Sequence, residues 1–156
     1  MDELVDQILS GFAKRHWTLS LAESCTGGLV SAKLTEKSGI SQIYHGSVIS
    51  YSNEVKQNVL GVSEQDLVRF GAVSEPVAIS MAEGVRKITN TTWAASVTGI
   101  AGPGGGTSSK PVGTVCFGFV GPESTYSFKK HYSGDRQNVQ EQSVLFILEN
   151  LKEALS

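Results

Sequence analysis

The spacing of apolar residues along the chain changes repeatedly between about 3.6 residues, which is typical of helices, and about two residues, which is typical of strands. One such change falls in the run AESCTGG, residues 22–28. Apolar residues alternate with small or polar ones over residues 17–21, which predicts a strand, and recur with helical spacing over residues 29–34. The pattern therefore predicts a strand that leads through a short, glycine-containing turn into a helix.

The same analysis predicts further elements on both sides of this turn. The predicted helices cover residues 4–16, 28–38, 54–60, 63–71, 74–88 and the stretch after residue 134, and the other predicted strands cover residues 44–51, 93–97, 114–120 and 125–132. The short connection Gly121-Pro122-Glu123 makes the last two strands an antiparallel hairpin. Because helices and strands alternate before this hairpin, we expect an α/β protein. It would be a three-layer α/β/α domain with a mixed, mostly parallel sheet, and residues 1–156 would form a single domain.

The turn at residues 22–28 combines side chains that suit a reactive site. Ser24 and Thr26 supply hydroxyl groups, Cys25 supplies a thiol, and Gly27 and Gly28 allow a ligand to approach the backbone closely. The first N–H groups of a helix have no partner inside the helix, and they attract an anion or a developing oxyanion. The same residues would also serve as an ordinary helix cap and tight turn. The turn alone leaves both interpretations open.

Two cations occupy the beginnings of later helices, where positive charge is electrostatically unfavourable. Lys56 follows the strand that ends near Tyr51, and Arg136 follows Gly134-Asp135. A bound phosphate or carboxylate would explain Arg136. Lys56 either extends to solvent or points to the edge of the sheet where Ser24 lies. In open α/β sheets, ligands bind at the carboxyl ends of strands, which is where these residues are expected.

Residues 98–113, of sequence TGIAGPGGGTSSKPVG, form a long segment rich in glycine after the strand at residues 93–97. Loops of this length inside a compact domain are commonly functional, although a plain surface loop is the simpler interpretation. The segment lacks the Gly-Lys-Ser/Thr ending of a P-loop, and Thr107 stands where a dinucleotide-binding motif needs its third glycine. It therefore predicts a site element of another kind.

Composition excludes several classes of protein. The chain has 156 residues and a formal net charge of -2, which gives no overall attraction to nucleic acid or to an anionic membrane. No apolar run reaches membrane-spanning length, and the acidic, amphipathic N-terminus is not a signal peptide, so we expect a cytoplasmic protein. The two cysteines are too few for a disulfide framework and lack zinc-site spacing, so we expect no metal and no cofactor.

Five motifs in order make this chain similar to the CinA C-terminal domain family. They are AESCTGG, GSVISYSNEVKQNVLGV, GAVSEPVAISMAEG, VTGIAGPGGGTSSKPVGTV and the late GDR at residues 134–136. The characterised activity of this family is deamidation of nicotinamide mononucleotide. The resemblance implies the stand-alone form of a bacterial amidohydrolase of pyridine-nucleotide (NAD) recycling, which converts this nucleotide and water to nicotinic acid mononucleotide and ammonia. It also implies a homo-oligomer, a dimer, that binds the small nucleotide and neither nucleic acid nor membrane.

Hydrolysis of a carboxamide needs a nucleophile, a base, donors for the oxyanion and an acid for the leaving ammonia. We predict Ser24 as the nucleophile, Lys56 as the base if burial lowers its pKa, and Tyr51 as a proton relay or a support for Lys56. The residues predicted to bind substrate, with Arg136 at the phosphate and backbone N–H groups at the oxyanion, are Thr26, Gly27, Gly28, Ser41, Thr98, Gly99, Gly102 and Arg136.

Several alternatives remain open at this point. Cys25, at a helix N-terminus, could be the nucleophile as a low-pKa thiolate. Lys56 could bind the phosphate while Arg136 only pairs with Asp135. At residues 39–41 the family more often has Gly-Ser-Ser where this chain has Gly-Ile-Ser, so only Ser41 is retained there. The chain could also hydrolyse another small amide, or be a nucleotide-binding regulatory module without turnover, linked to competence or DNA damage.

Overall fold

The computed structural model describes residues 1–156. The six helices are α1 (Asp2–Lys14), α2 (Leu29–Thr35), α3 (Asn53–Asn58), α4 (Glu64–Phe70), α5 (Glu75–Thr89) and α6 (Arg136–Glu153). The five strands are β1 (Leu19–Glu23), β2 (Tyr44–Ile49), β3 (Trp93–Gly99), β4 (Thr114–Val120) and β5 (Thr125–His131). A short 3-10 turn at Ile40–Gln42, which the apolar pattern did not predict, precedes β2.

All five strands belong to one sheet, in the order β2-β1-β3-β4-β5. The central strand pairs β1–β2 and β1–β3 are parallel, whereas β3–β4 and β4–β5 are antiparallel. The prediction of a mixed sheet is confirmed, but half of the pairings, rather than most, are parallel. The reason is the connection from β3 to β4, which is a loop without a crossover helix and therefore returns the chain in the opposite direction.

Helices cover both faces of the sheet, which confirms the predicted three-layer α/β/α architecture. On one face, α1, α2 and α6 pack over the larger apolar cluster, whose buried members include Phe12, Leu21 and Leu148. On the other face, α5 packs on the sheet with α4 beside it, over a smaller cluster that includes Ala22 and Met81. The sheet therefore separates two apolar cores and presents its strand ends to solvent.

Side-chain caps fix the starts of four helices. Ser52, Ser63 and Ser74 accept hydrogen bonds from backbone N–H groups in the first turns of α3, α4 and α5, respectively. Asp135 caps α6 in a reciprocal capping box with Asn138. Each cap satisfies an N–H group that would otherwise lack a partner at the helix end.

The carboxyl ends of the three parallel strands meet at one edge of the sheet. Glu23, the last residue of β1, lies between Ile49 of β2 and Val97 of β3. The turns after β1 and β2 and the loop after β3 therefore begin side by side, which is the arrangement that the sequence predicts.

Candidate active site

Ser24 is the first residue after β1, and it is held where the strand ends. Its backbone N–H donates to the Val97 carbonyl at 2.9 Å, which continues the β1–β3 ladder by one step. Gly27 and Gly28 then adopt positive φ values of 58° and 108°, a backbone conformation that favours glycine, and α2 begins at Leu29. The turn thus projects Ser24 at the strand end with its side chain only 7% exposed.

Glu23 organises this turn, and the sequence analysis missed it. Its fully buried carboxylate accepts hydrogen bonds from the Thr26 hydroxyl at 2.9 Å and from the Val30 N–H at 2.8 Å. Its second oxygen accepts from the Ser31 hydroxyl at 2.8 Å. A charged residue at the end of a buried strand was the available signal, because a buried carboxylate needs several donors to offset its desolvation.

Lys56 lies on α3, on the sheet face that α5 covers, and its ammonium group reaches Ser24. Lys56 Nζ is 3.0 Å from Ser24 Oγ and donates to the Ser50 carbonyl oxygen at 2.7 Å. The side chain is 1% exposed, and no carboxylate forms an ion pair with it. Burial without a neutralising partner lowers the pKa of Lys56. This placement decides between the two interpretations of Lys56: its side chain points to the sheet edge and not to solvent.

The turn also leaves backbone donors free beside Ser24. The N–H groups of Cys25, Thr26 and Gly28 donate to no acceptor in the protein, whereas the Gly27 N–H donates to the Ser24 carbonyl at 3.0 Å. Free N–H groups next to a nucleophile are the donors that stabilise a tetrahedral oxyanion. The backbone N–H groups of Thr26 and Gly28 are therefore available to bind a ligand, as predicted. The Gly27 N–H is not available, because it donates within the turn.

The Cys25 side chain packs into the larger core. It is 5% exposed, it belongs to the apolar cluster under α1 and α6, and its sulfur would lie 3.1 Å from a Cβ added to Gly99. Burial raises the pKa of the thiol to about 12, so the thiolate form is suppressed at neutral pH. The alternative that Cys25 is the nucleophile is therefore disfavoured by both position and ionisation.

Arg136 joins the three loops at the edge of the sheet. Its guanidinium donates to the Gly102 carbonyl oxygen at 2.7 Å and to the Tyr51 hydroxyl at 2.9 Å. Asp135 is engaged in capping α6, and Arg136 forms no salt bridge. A guanidinium has five N–H donors, so those not used here remain free for an anion. Tyr51, which is 63% exposed, makes no hydrogen bond to Lys56, and the prediction that it supports Lys56 is wrong because Ser50 does so.

Comparison with known proteins places this arrangement in a family. Residues 1–155 match the family described as CinA C-terminal domain. The chain belongs to this family. The relationship inferred from the five motifs is therefore confirmed over nearly all of the chain.

Individual relatives agree with this assignment. A CinA-like protein of Fervidobacterium nodosum is 42% identical over 153 residues, which are 98% of this chain but only 38% of that protein. The crystal structure of a CinA superfamily protein from Enterobacter cloacae has a TM-score of 0.95 and 35% identity, and the match covers 99% of this chain and 91% of that one. The competence/damage inducible protein CihA from Agrobacterium tumefaciens has a TM-score of 0.94 and 37% identity, over 98% and 93% of the two chains.

Two further residues of this CinA C-terminal domain that were predicted to bind substrate, Thr98 and Gly99, lie at the end of β3. The Thr98 hydroxyl donates to the Ala72 carbonyl oxygen at 3.0 Å, which ties the end of β3 to the segment before α5. Gly99 lies against the Cys25 sulfur and the Thr114 carbonyl, where a Cβ would be crowded. Thr98 therefore uses its hydroxyl hydrogen within the protein, and Gly99 allows close packing at this edge.

Ser41 is not brought to this site within the chain. It lies exposed in the 3-10 turn before β2, at the amino end of the strand, whereas Ser24 follows the carboxyl end of β1. Because β1 and β2 are parallel, the two serines are separated by more than the length of β1, at least roughly 16 Å. A short retained motif does not reveal at which end of a strand it lies, and a role of Ser41 in substrate binding stays a prediction.

Gln140 is another contact that the sequence did not indicate. Its side-chain amide on α6 donates to the Cys25 carbonyl oxygen at 3.0 Å and so links the turn to α6. No group of three or more His, Cys, Asp and Glu side chains is arranged to hold a metal ion. None of the helices is both long and apolar enough to cross a membrane. The chemistry of this edge is thus that of one serine, one buried lysine, free N–H groups and an arginine.

Proposed function

We propose that this CinA C-terminal domain is an amidohydrolase that converts nicotinamide mononucleotide and water to nicotinic acid mononucleotide and ammonia in NAD recycling. The observation that carries the proposal is the contact of 3.0 Å between Lys56 Nζ and Ser24 Oγ, made by a lysine that is 1% exposed. A serine next to a base within hydrogen-bond reach is the arrangement of an activated nucleophile. A lysine whose pKa burial lowers, placed beside a serine hydroxyl, favours catalysis over binding alone.

In the first half of the reaction, Ser24 Oγ attacks the carboxamide carbon while neutral Lys56 takes the hydroxyl proton. The carbonyl oxygen becomes an oxyanion, which the free N–H groups of Thr26 and Gly28 are suited to bind. The tetrahedral intermediate then collapses and the C–N bond breaks. Lys56, now protonated, returns its proton to the leaving nitrogen, so ammonia departs and an ester to Ser24 remains.

In the second half, water hydrolyses the ester. Lys56 takes a proton from the water molecule, the resulting oxygen attacks the ester carbon, and the same N–H groups bind the second oxyanion. Collapse breaks the bond to Ser24 Oγ, and the proton on Lys56 returns to this oxygen. The balance is one water consumed and one ammonia and one carboxylic acid released, with Ser24 and Lys56 restored.

The charge of Arg136 supports a phosphorylated substrate. Its guanidinium is exposed, carries no carboxylate partner and is braced by Tyr51 and by the Gly102 carbonyl. A planar guanidinium held from two sides can bind phosphate through its remaining donors without a further loss of side-chain freedom. Tyr51 contributes to this assignment as the partner of Arg136, and a role in proton transfer stays a prediction.

Ammonia release from nicotinamide mononucleotide, without added metal, tests the proposal directly. We expect turnover by the parent protein and by Cys25→Ala, and a loss of at least about 10³-fold in kcat for Ser24→Ala. Cys25→Ala is the matched control, because it alters the next residue of the same turn. Turnover by Ser24→Ala together with loss in Cys25→Ala would assign the nucleophile to the thiol.

The competing function is a nucleotide-binding module without turnover. This function would replace the proposed one if the parent protein binds nicotinamide mononucleotide in calorimetry while neither the parent nor any variant releases ammonia. Turnover of another small amide in preference to the nucleotide would retain the serine and lysine roles and change only the substrate. The dimer and the cytoplasmic location stay predictions, and sedimentation velocity of the purified protein measures the first of them.

A further inference from the structure

A second cavity lies at the end of the sheet opposite Ser24. It has a volume of about 680 Å³ and lies between the β4–β5 turn, the start of β3 and the last turns of α6. Its side chains include Trp17, Trp93, Tyr126, Phe128, Glu123 and Glu153. Trp93 begins β3, and the residue of β3 that contacts Ser24 lies four positions later, so this cavity and the site at Ser24 are roughly 13 Å apart along the strand. Its volume is in the range of small-molecule sites.

Aromatic rings form the wall of this cavity. The ring centroids of Trp17 and Trp93 are 5.6 Å apart, those of Trp93 and Tyr126 are 6.5 Å apart, and those of Tyr126 and Phe128 are 5.8 Å apart. The faces of such rings carry negative electrostatic potential and attract cations. The protein already uses this property nearby, since the Arg15 guanidinium lies 5.4 Å from the centroid of Trp17.

The charge at the cavity is negative. Glu123 and Glu153 line it, and no lysine or arginine does. Glu123 forms no salt bridge, and Glu153 pairs only with its chain neighbour Lys152, at 3.6 Å. Aromatic faces and free carboxylates together favour a positively charged ligand over a neutral or anionic one.

We infer that this cavity is a second ligand site, which binds a small cationic aromatic molecule. The ring contacts Trp17 and Tyr126, and the positive charge faces Glu123 and Glu153. The site is independent of the proposed deamidation, because it shares no residue with the edge at Ser24.

Two matched probes isolate the contribution of the charge. The compound 3-acetyl-1-methylpyridinium has the ring and the charge, and it has no amide that the protein could hydrolyse. Neutral 3-acetylpyridine has the same ring and substituent but lacks the charge. We expect about tenfold weaker binding for the neutral probe.

Intrinsic fluorescence reports on this cavity specifically, because Trp17 and Trp93 are the two tryptophans of the chain. We expect saturable quenching by the acetyl cation, with the same dissociation constant in calorimetry and in the Ser24→Ala variant. Quenching that rises linearly without saturation, with no heat of binding, would overturn the proposal.

Variants test the assigned contacts. Glu123→Gln combined with Glu153→Gln should weaken binding of the acetyl cation about tenfold, whereas Glu141→Gln, at an exposed α6 residue outside the cavity, should not. All three glutamates are exposed, so we expect these substitutions to leave folding unchanged. Unchanged binding in the double variant would refute the charge assignment. A dimer that the Glu123→Arg variant dissociates, without probe binding in the parent, would assign the cavity to contact between copies.

Discussion

The ammonium group of Lys56, on α3, lies where the parallel strands β1 and β2 end. It lies 32 positions after Ser24, yet the two side chains meet because β1 and β2 are neighbours and their carboxyl ends coincide. The backbone of Ser50 continues this pairing by donating to the Glu23 carbonyl at 2.8 Å, and its own carbonyl then receives the Lys56 ammonium. Neither contact supplies a negative charge, so the ammonium form is desolvated without compensation and the neutral form is favoured.

The pH dependence of turnover tests this protonation state. Because Lys56 must be neutral to accept the Ser24 proton and burial lowers its pKa, kcat/KM for nicotinamide mononucleotide should rise tenfold per pH unit on the acid side and level off below pH 10.5, the ordinary lysine value. The measurement is initial ammonia release from about pH 5 to about pH 10. Lys56→Arg should be inactive throughout, since a guanidinium stays protonated. If the Lys56→Arg variant is active and its kcat/KM still rises with pH on the acid side, Lys56 is not the base.

Arg136 offers a prediction that separates binding of the phosphate from chemistry. Arg136→Gln removes charge-assisted hydrogen bonds to phosphate, so KM for nicotinamide mononucleotide should rise about 10- to 100-fold. The phosphate-free nucleoside should be hydrolysed by parent and variant with similar kcat/KM. Arg69→Gln, at an exposed arginine of α4 that contacts Phe70, is the matched control. An equal loss for both substrates would mean that Arg136 acts by bracing Tyr51 and the Gly102 loop.

At the level of residues, sequence reasoning found the groups to which we assign chemistry and missed those that hold the turn and Lys56 in place. Ser24, Lys56 and Arg136 were recognisable because each is chemically costly where it stands, after a strand or at the start of a helix. Glu23, Ser50 and Gln140 act through a carboxylate bonded to the turn, a backbone carbonyl and an amide on a distant helix. Such contacts depend on three-dimensional placement, and no spacing in the sequence encodes them.

At the level of elements, the unit formed by β1, the turn and α2 depends on Glu23. Glu23→Gln exchanges one accepting oxygen for an amide donor that would face Thr26 and Val30 or Ser31, whose groups also donate. We expect the free energy of unfolding to fall by about 1–3 kcal/mol, and kcat to fall with KM nearly unchanged, because the N–H groups at the oxyanion lose their alignment. Urea unfolding and steady-state kinetics measure the two effects.

Glu36→Gln is the matched control for this change, since Glu36 is an exposed glutamate whose partner is Lys33. It should alter stability by less than about 0.5 kcal/mol and leave kcat unchanged. If Glu23→Gln lowers stability and leaves kcat intact, the carboxylate is a structural support alone.

Elements were easier to predict than their arrangement. Helix starts at Ser52, Ser63 and Ser74 were readable because capping is local chemistry. The direction of β4 was not readable in the same way, because it depends on whether the loop at residues 100–113 crosses over the sheet. Ser41 shows the same limit, since its position at the amino end of β2 follows from the direction of the strand and not from the motif.

At the scale of the whole molecule, two apolar cores lie on opposite faces of one sheet, and α5 packs closely against one of these faces. A Cβ on Gly118 of β4 would lie 2.5 Å from the Ala78 carbonyl oxygen of α5, and one on Gly84 of α5 would lie 2.0 Å from the Leu60 carbonyl oxygen. These glycines allow the helix to seat on the strands and the segment after α3 to seat on the helix. The position of Lys56 at the end of the sheet thus depends on packing that extends across the molecule.

Burial of Lys56 also sets how the stability of the whole molecule depends on pH. The folded pKa of Lys56 is lowered from 10.5. Between the lowered value and 10.5, the unfolded chain binds one more proton than the folded protein, so the free energy of unfolding rises with pH in that window. Below the folded pKa both states are protonated and the cost of burying the charge is present in full. The gain in the free energy of unfolding that comes from deprotonating Lys56 in the folded protein is thus lost as the pH falls through the folded pKa.

The Lys56→Met variant isolates the contribution of Lys56 to the pH dependence of the free energy of unfolding. The thiols of Cys25 and Cys116, whose pKa values burial raises to about 12 and about 11, act in the opposite direction above pH 9, so the measurement is kept below that pH. Unfolding in urea from about pH 5 to about pH 9 should show Lys56→Met gaining most relative to the parent at the acid end, with the difference shrinking by up to about 1.4 kcal/mol per pH unit. Lys87→Met, at an exposed lysine of α5, should show no such trend. A difference that is constant with pH would mean that Lys56 is charged in the folded protein throughout this range. It could not then accept the Ser24 proton, so this measurement of stability also bears on the catalytic role.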